Sequence, residues 1–333
     1  MSGVTPIQLA DVERARTRIA GTIRRAPIEP SLSLSELAGV PVHLKLEHLQ
    51  ITGSFKLRGA ANAIFSLDQE SRERGVVGVS TGNHGRALAY AAREAGIRCI
   101  IAMSELVPQN KINGIKAQGA EVRIVGKSQD EAQKEVDRLV REEGMTMLPP
   151  FDHADIIAGQ GTLGLELIED MPEAETVLVQ VSGGGLIAGV ATALKAKKPD
   201  IRVVGVSMRR GAAMYECLKT GRPIAVEELP TLADSLGGGI GLDNRYTFQM
   251  VRDLVDEIVL VDEREIAQGI RHGYWRERQI VEGAGAVCMA ALISGKVRPS
   301  GPTLALLSGG NIDMHLHHRI ISGEDVDVSG EKN

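Results

Sequence analysis

Four short stretches of this sequence carry side chains that could do chemistry. In Ser54-Phe55-Lys56-Leu57-Arg58-Gly59-Ala60 a lysine stands between Phe55 and Leu57, just after Thr52-Gly53. Most lysines are solvated surface charges. A lysine held in a partly apolar cleft loses its proton more easily, and only the neutral amine attacks a carbonyl. In Ser182-Gly183-Gly184-Gly185 the glycines let a ligand approach the backbone, and a helix starting there would offer free N–H groups to an anion. A plain turn reads the same way. The run has neither GxGxxG spacing nor a P-loop lysine, so a phosphate is favoured over a dinucleotide. Ser80-Thr81-Gly82-Asn83-His84 supplies hydroxyls, an amide and N–H groups suited to a carboxylate, although N-capping alone would account for Ser80 or Thr81. Ser308-Gly309-Gly310-Asn311 follows an apolar run, where open α/β sheets hold ligands at their strand ends. A polar turn without a ligand is the alternative.

These stretches need elements to position them. Leu9, Val12, Ala15, Ile19 and Ile23 recur at helical spacing, and Pro27 and Pro30 close that helix. Residues 42–46 alternate as a half-buried strand does. From Gly75 onward strands (76–79, 98–103, 121–125) alternate with helices (83–95, 108–118, 129–143). Residues 149–153 read as a crossover between lobes. The pattern then resumes with a strand at 176–181, a helix at 186–196, and strands at 201–206 and 303–307. Residues 234–243 are glycine-rich and read as irregular. Repeated βαβ units indicate an α/β protein with parallel-rich sheets flanked by helices. At 333 residues the chain exceeds what one core usually serves, so two lobes are expected.

Composition excludes several function classes. Hydrophobic residues make up 43% and charged residues 24%, as in ordinary globular chains. Aromatic content is 3%, which argues against a base-stacking surface, and 38 glycines suit tight turns and close backbone approaches. With 38 Lys plus Arg against 43 Asp plus Glu, the net charge of -5 gives no case for nucleic acid or anionic membrane partners. Cys99, Cys217 and Cys288 are scattered, so neither a disulfide framework nor a zinc site is expected. A reducing, cytoplasmic setting follows. Residues 1–10 lack a signal-peptide pattern, and no apolar run is long enough to span a bilayer.

Taken in order, SFKLRGA (54–60), STGNHGRALAYAA (80–92), LPPFDHADIIAGQGTLGLEL (148–167), SGGGLIAG (182–189), LADSL (232–236), EGAGA (282–286) and SGGN (308–311) resemble the serine/threonine dehydratase and serine racemase family of fold type II pyridoxal 5′-phosphate (PLP) enzymes. The likeness runs from about residue 12 to 323. Within that family the pattern is most similar to hydroxyectoine-utilisation dehydratases, through STGNHGRAL, GVSM and RGAAMYE (205–208 and 210–216), and IDMHLH (312–317).

The resemblance implies a two-lobed, tryptophan synthase β-like fold. Residues 1–70 and 150–325 would form the PLP-binding domain, 71–149 a small domain closing over substrate, and 326–333 a frayed tail. It implies that Lys56 carries the cofactor as a Schiff base and then acts as the Cα base. Phe55 would pack near the cofactor, Asn83 would bond its 3′-oxygen, and Ser182, Gly183, Gly184, Gly185 and Leu186 would cradle its phosphate. Ser308 would face the pyridine nitrogen. Ser80, Thr81, His84 and Ser235 would line the substrate pocket, Thr81 with a hydroxyl on the face opposite Lys56. A structural role for His84 stays open. The implied activity is removal of water and then ammonia from a β-hydroxy amino acid, by a homodimer, in hydroxyectoine catabolism. A general threonine/serine dehydratase, a serine racemase-like isomerase and a non-catalytic PLP-binding protein are the alternatives, the last disfavoured because Lys56, Asn83 and Ser308 are all present.

Three departures bear on these expectations. Family members that bind a divalent cation use carboxylates after the strand ending here at Gly205-Val206. This chain has Ser207-Met208-Arg209-Arg210-Gly211-Ala212-Ala213 and no acid before Glu216. Hard cations want oxygen ligands, so no metal is expected. Ser235 stands where glycine is usual, and His48 and Ser182 vary motif edges. Little chain follows the last motif, so no regulatory domain is expected.

Overall fold

The computed structural model describes residues 5–80, 82–107, 109–326 and 328. Among the described residues ten strands form two sheets: β1 (Ile28–Pro30), β2 (Val42–Lys45), β3 (Val76–Val79), β4 (Cys99–Met103), β5 (Glu121–Ile124), β6 (Thr146–Met147), β7 (Thr176–Gln180), β8 (Arg202–Met208), β9 (Glu257–Val261) and β10 (Thr303–Leu306). The larger sheet has the order β1-β2-β10-β7-β8-β9, and the smaller β5-β4-β3-β6. Every pairing is parallel except β1 with β2. This is an α/β arrangement of two parallel-rich sheets flanked by helices, as the resemblance implies.

The central strands are covered on two faces, which is why β3, β4, β7 and β10 read as apolar runs rather than as alternations. Along β7, Val177 and Val179 join one core while Leu178 joins another. Leu304 and Leu306 on β10 separate from Ala305 in the same way. Helices Ala154–Asp170 and Gly185–Lys197 cover one face of the larger sheet, and Gly283–Ile293 covers the other. In the smaller sheet Val76 and Ile101 face one core, and Val77 and Ile100 the other.

Several boundaries differ from the sequence reading. The first helix ends at Ile19, short of Ile23: Ala20 has ψ 131° and Gly21 φ +84°. The Gln50 side chain grips the backbone N–H and C=O of Arg24 at 2.8 and 2.7 Å, so the chain turns toward β1 instead of continuing the helix. Pro30, read as a helix stop, ends β1, an edge strand where its missing N–H is tolerated. Strand β8 runs on to Met208, because Ser207 and Met208 pair with Leu260 and Val261 of β9. The 234–243 stretch is irregular apart from a 3-10 turn at Asp234–Leu236. Among the described residues no helix is long and apolar enough to cross a membrane.

Candidate active site

Lys56 is the first residue of helix Lys56–Phe65. Its Nζ donates to the Pro150 carbonyl at 2.8 Å and lies 5.3 Å from the centre of the Phe55 ring. Burial pushes the ammonium down to about 8, against the pull of Glu282. A neutral amine is therefore accessible near neutrality. In the first turn of this helix, Arg58 is fully buried and bonds both Glu47 and Glu166, with Arg58 Nη2–Glu47 Oε1 and Arg58 Nη1–Glu166 Oε1 each 2.7 Å. Lys45 Nζ meets Glu166 at 2.8 Å. This ion network ties the helix that starts at Lys56 to β2 and to helix Ala154–Asp170.

A cavity of about 210 Å³ opens over Lys56. The larger sheet supplies its turns at strand ends. After β7, Ser182 to Leu186 lead into helix Gly185–Lys197, with Gly184 at φ +90°. A side chain at Gly183 would overlap the Phe151 ring, and one at Gly185 would meet the Phe151 carbonyl. The glycine run is thus set by the residues of the crossover packed against it. After β10, Ser308 is buried at the cavity wall. From the smaller sheet, the β3-to-helix turn brings Ser80, Asn83 and His84. Ser80 Oγ accepts from Gly85 N at 3.0 Å, so it also caps the helix. His84 Nε2 pairs with the Leu148 carbonyl at 2.9 Å, which makes Nε2 the donor and leaves buried Nδ1 as an unpartnered acceptor. Burial, reinforced by Lys56, lowers His84 to about 4, so it is neutral at pH 7. Ser235 lines the mouth.

The structure thus brings Phe55, Lys56, Ser80, Asn83, His84, Ser182 to Leu186, Ser235 and Ser308 around one cavity. Thr81 lies outside the described residues. Of the departures, Ser182 and Ser235 line the cavity, while His48, Arg209 and Arg210 do not. Arg209 is exposed and Arg210 half-buried, both outside that lining.

Sequence reasoning assigned no role to Glu282, Gln180, Lys111, Asp234 or Asn311. Glu282 is buried in the cavity wall and accepts from Asn83 Nδ2 at 2.6 Å. Burial, with Asp234 nearby, pushes it up to about 7, while the Asn83 bond and Lys111 oppose that rise. Lys111, on helix Gln109–Lys116, reaches Asp234 at 3.0 Å across the cavity mouth. Glu282 opens the EGAGA motif and Asn311 closes SGGN, so each carried a signal. Gln180 ends an apolar strand and carried none; its buried Oε1 has no partner.

The family model described as pyridoxal-phosphate dependent enzyme matches residues 19–309, and the chain belongs to that family. A Sinorhizobium fredii protein with the provisional name threonine dehydratase is 58% identical over 324 residues, 97% of this chain and 98% of that one. The L-threonine ammonia-lyase of Thermotoga maritima is 41% identical, covering 95% of this chain and 78% of the relative. Among solved structures, maize serine racemase superposes with a TM-score of 0.90 at 33% identity, covering 96% and 98% of the two chains. A threonine deaminase from T.th. gives 0.85 at 37%, covering 92% and 99%. The chain is a PLP-dependent lyase of the threonine dehydratase-like kind.

The residues present fit that cofactor. A buried amine of lowered proton affinity suits the aldehyde, a glycine turn at a helix start suits the phosphate, and buried polar atoms of Gln180 and His84 stand at the cavity without protein partners.

Proposed function

We propose that this enzyme removes water and then ammonia from a β-hydroxy amino acid larger than threonine, in the breakdown of hydroxyectoine, as a cytoplasmic homodimer. The observation that carries the lyase reading is Lys56 Nζ, buried with lowered proton affinity at the end of a cavity it shares with Asn83, Ser308 and the 182–186 turn. In this reading residues 1–70 and 150–325 hold the cofactor and 71–149 close over the substrate. The Lys111–Asp234 pair across the mouth supports that closure.

Each side chain then has a task. Lys56 Nζ would hold the cofactor, and its amine would serve as the base for the Cα proton. Phe55 would flank the cofactor, Asn83 would donate to its 3′-oxygen, and the N–H groups at 182–186 would hold its phosphate. When bound, PLP supplies an electron sink for charge left at Cα. Ser308 offers the ring nitrogen a neutral hydroxyl, which stabilises a protonated pyridine poorly and favours elimination over transamination. Ser80 and Thr81 would offer hydroxyls to the substrate carboxylate, and neutral His84, whose free Nδ1 only accepts, would line the same pocket.

The substrate assignment is supported by the STGNHGRAL, RGAAMYE and IDMHLH segments and by Ser235 at the cavity mouth where glycine is usual. A pocket altered around retained chemistry indicates a new side chain rather than a new reaction. A polar pocket rejects a substrate lacking its partner group strongly, because buried polar atoms are then left unpaired. The test compares kcat/KM for threonine, serine, 3-hydroxy-2,4-diaminobutyrate and its N-acetyl form by ammonia release. The larger compounds should be preferred by at least about tenfold, a margin one lost polar contact provides. Equal turnover of threonine would return the enzyme to a general threonine dehydratase. Likeness to maize serine racemase favours isomerisation as the second reading, and assaying enantiomer formation in the same reactions separates the two.

A further inference from the structure

The cavity motifs meet in one chain of side-chain amides. Asn311 Nδ2 donates to the Thr52 carbonyl at 2.9 Å and to Asn83 Oδ1 at 2.6 Å. Asn83 Nδ2 in turn donates to Glu282 Oε1 at 2.6 Å. An amide nitrogen has two hydrogens and no acceptor capacity. Both hydrogens of Asn311 are committed. Asn83 commits one, and its other is left toward the cavity it lines.

The direction of this chain is determined by its far end. A backbone carbonyl only accepts, so Thr52 requires the Nδ2 end of Asn311. That same nitrogen then faces Asn83, and only Asn83 Oδ1 can receive it. Turning the Asn83 amide over would set two donors against each other at Asn311 and present Oδ1 to the Glu282 carboxyl. Two glycines make room for the arrangement. A Cβ at Gly53, whose φ is +78°, would lie 2.5 Å from Asn311 Oδ1 and 2.9 Å from its Nδ2. A Cβ at Gly309 would overlap Glu282 Oε1 and lie 3.3 Å from Asn83 Nδ2. Gly53 stands three residues before Lys56, so the segment that presents the amine also seats Asn311.

We propose that Asn311 is a positioning residue: held by the Thr52 carbonyl, it orients the Asn83 amide so that an N–H, not the carbonyl, faces the cofactor. The inference rests on the proposed contact of Asn83 with the cofactor's 3′-oxygen, which needs a donor. Asn311 itself does not line the cavity. It acts only through Asn83.

The test uses holoenzyme of Asn83→Ala, Asn311→Ala and Asn311→Asp. It reads the position of the cofactor's visible absorbance band and the rate of cofactor loss on dilution, with thermal melting as a record of folding. An ionised Asp cannot donate to Thr52 or to Asn83 Oδ1, and it attracts the Asn83 NH2 instead, turning the amide over. Both Asn311 variants should move the band in the same direction as Asn83→Ala. Cofactor loss should be at least about tenfold faster, one lost charge-assisted or buried hydrogen bond. Asn311→Asp should exceed Asn311→Ala, although Asp is the closer match in size. If Asn83→Ala moves the band and both Asn311 variants keep the wild-type band and release rate, the positioning role is wrong while the Asn83 contact stands. A lowered melting point with an unmoved band has the same meaning, a structural role only. If Asn83→Ala itself changes neither readout, the contact on which the proposal rests is wrong. Should Asn311→Asp fail to fold, Asn311→Ala decides the question by the same criteria.

Discussion

Replacing Lys56 by methionine should make the cofactor-free chain more stable. Burial lowers the Lys56 ammonium from an ordinary 10.5 to about 8, yet at pH 7 the charged form still predominates. The folded chain therefore holds a poorly hydrated ammonium that the unfolded chain would hydrate fully. Each tenfold loss of proton affinity corresponds to about 1.4 kcal/mol, so the fall from 10.5 to about 8 amounts to about 3 kcal/mol of lost stability. The sign is that of a depressed amine: the cost is fully present below pH 8, fades between 8 and 10.5, and is absent above. Methionine has similar length and no charge. It also forfeits the bond to the Pro150 carbonyl, which offsets about 1 kcal/mol. A net gain of about 2 kcal/mol is expected at pH 7, a sizeable share of the roughly 5–15 kcal/mol typical of a domain. Urea unfolding of both cofactor-free proteins at pH 7 and pH 10.5 measures it. The gain should vanish at the higher pH, where the lost bond remains and the relieved charge does not. A variant no more stable than wild type at pH 7, or one whose advantage is unchanged at pH 10.5, would refute the argument that the amine is strained by burial for its chemistry.

Two further outcomes are expected. Arg58→Met strands Glu47 in the interior and leaves Glu166 with Lys45 alone; burial by itself would raise Glu166, and Arg58 and Lys45 now hold it below the ordinary carboxylate range. Unfolding free energy at pH 7 should drop by about 3–5 kcal/mol, as for other broken buried pairs, and a loss under about 1 kcal/mol would show the network to be solvated. Gly183→Ala forces a methyl group into the Phe151 ring beside the cavity, so the holoenzyme should release cofactor at least about tenfold faster while its far-ultraviolet circular dichroism stays native. Unchanged retention would mean that the turn tolerates a different path.

Much of this protein was determined by contiguous sequence. The lysine with its apolar neighbours, the glycine turn before helix Gly185–Lys197 and the β3-to-helix turn were all legible, because each works through residues adjacent in the chain. The alternation of β3, β4 and β5 with helices was legible too, since short strands between amphipathic helices keep their period. Helices Ala154–Asp170 and Gly283–Ile293 were not delimited in the sequence reading. They are buried nearly all round, so they show no polar stripe, and an apolar run without a stripe has no readable period. The end of the first helix was decided by Gln50, whose amide captures Arg24 from 26 residues away. The site divides in the same way. Asn83 could be named as a ligand from its motif, but the groups that orient it, Glu282 and Asn311, lie 199 and 228 residues further on. Nothing in one-dimensional spacing pairs them. They meet because β10 inserts between β2 and β7 in the larger sheet, which brings the turn after β10 against the segment leading to Lys56. Hydrogen-bond direction is a property of atoms in contact, and only the tertiary structure puts those atoms in contact.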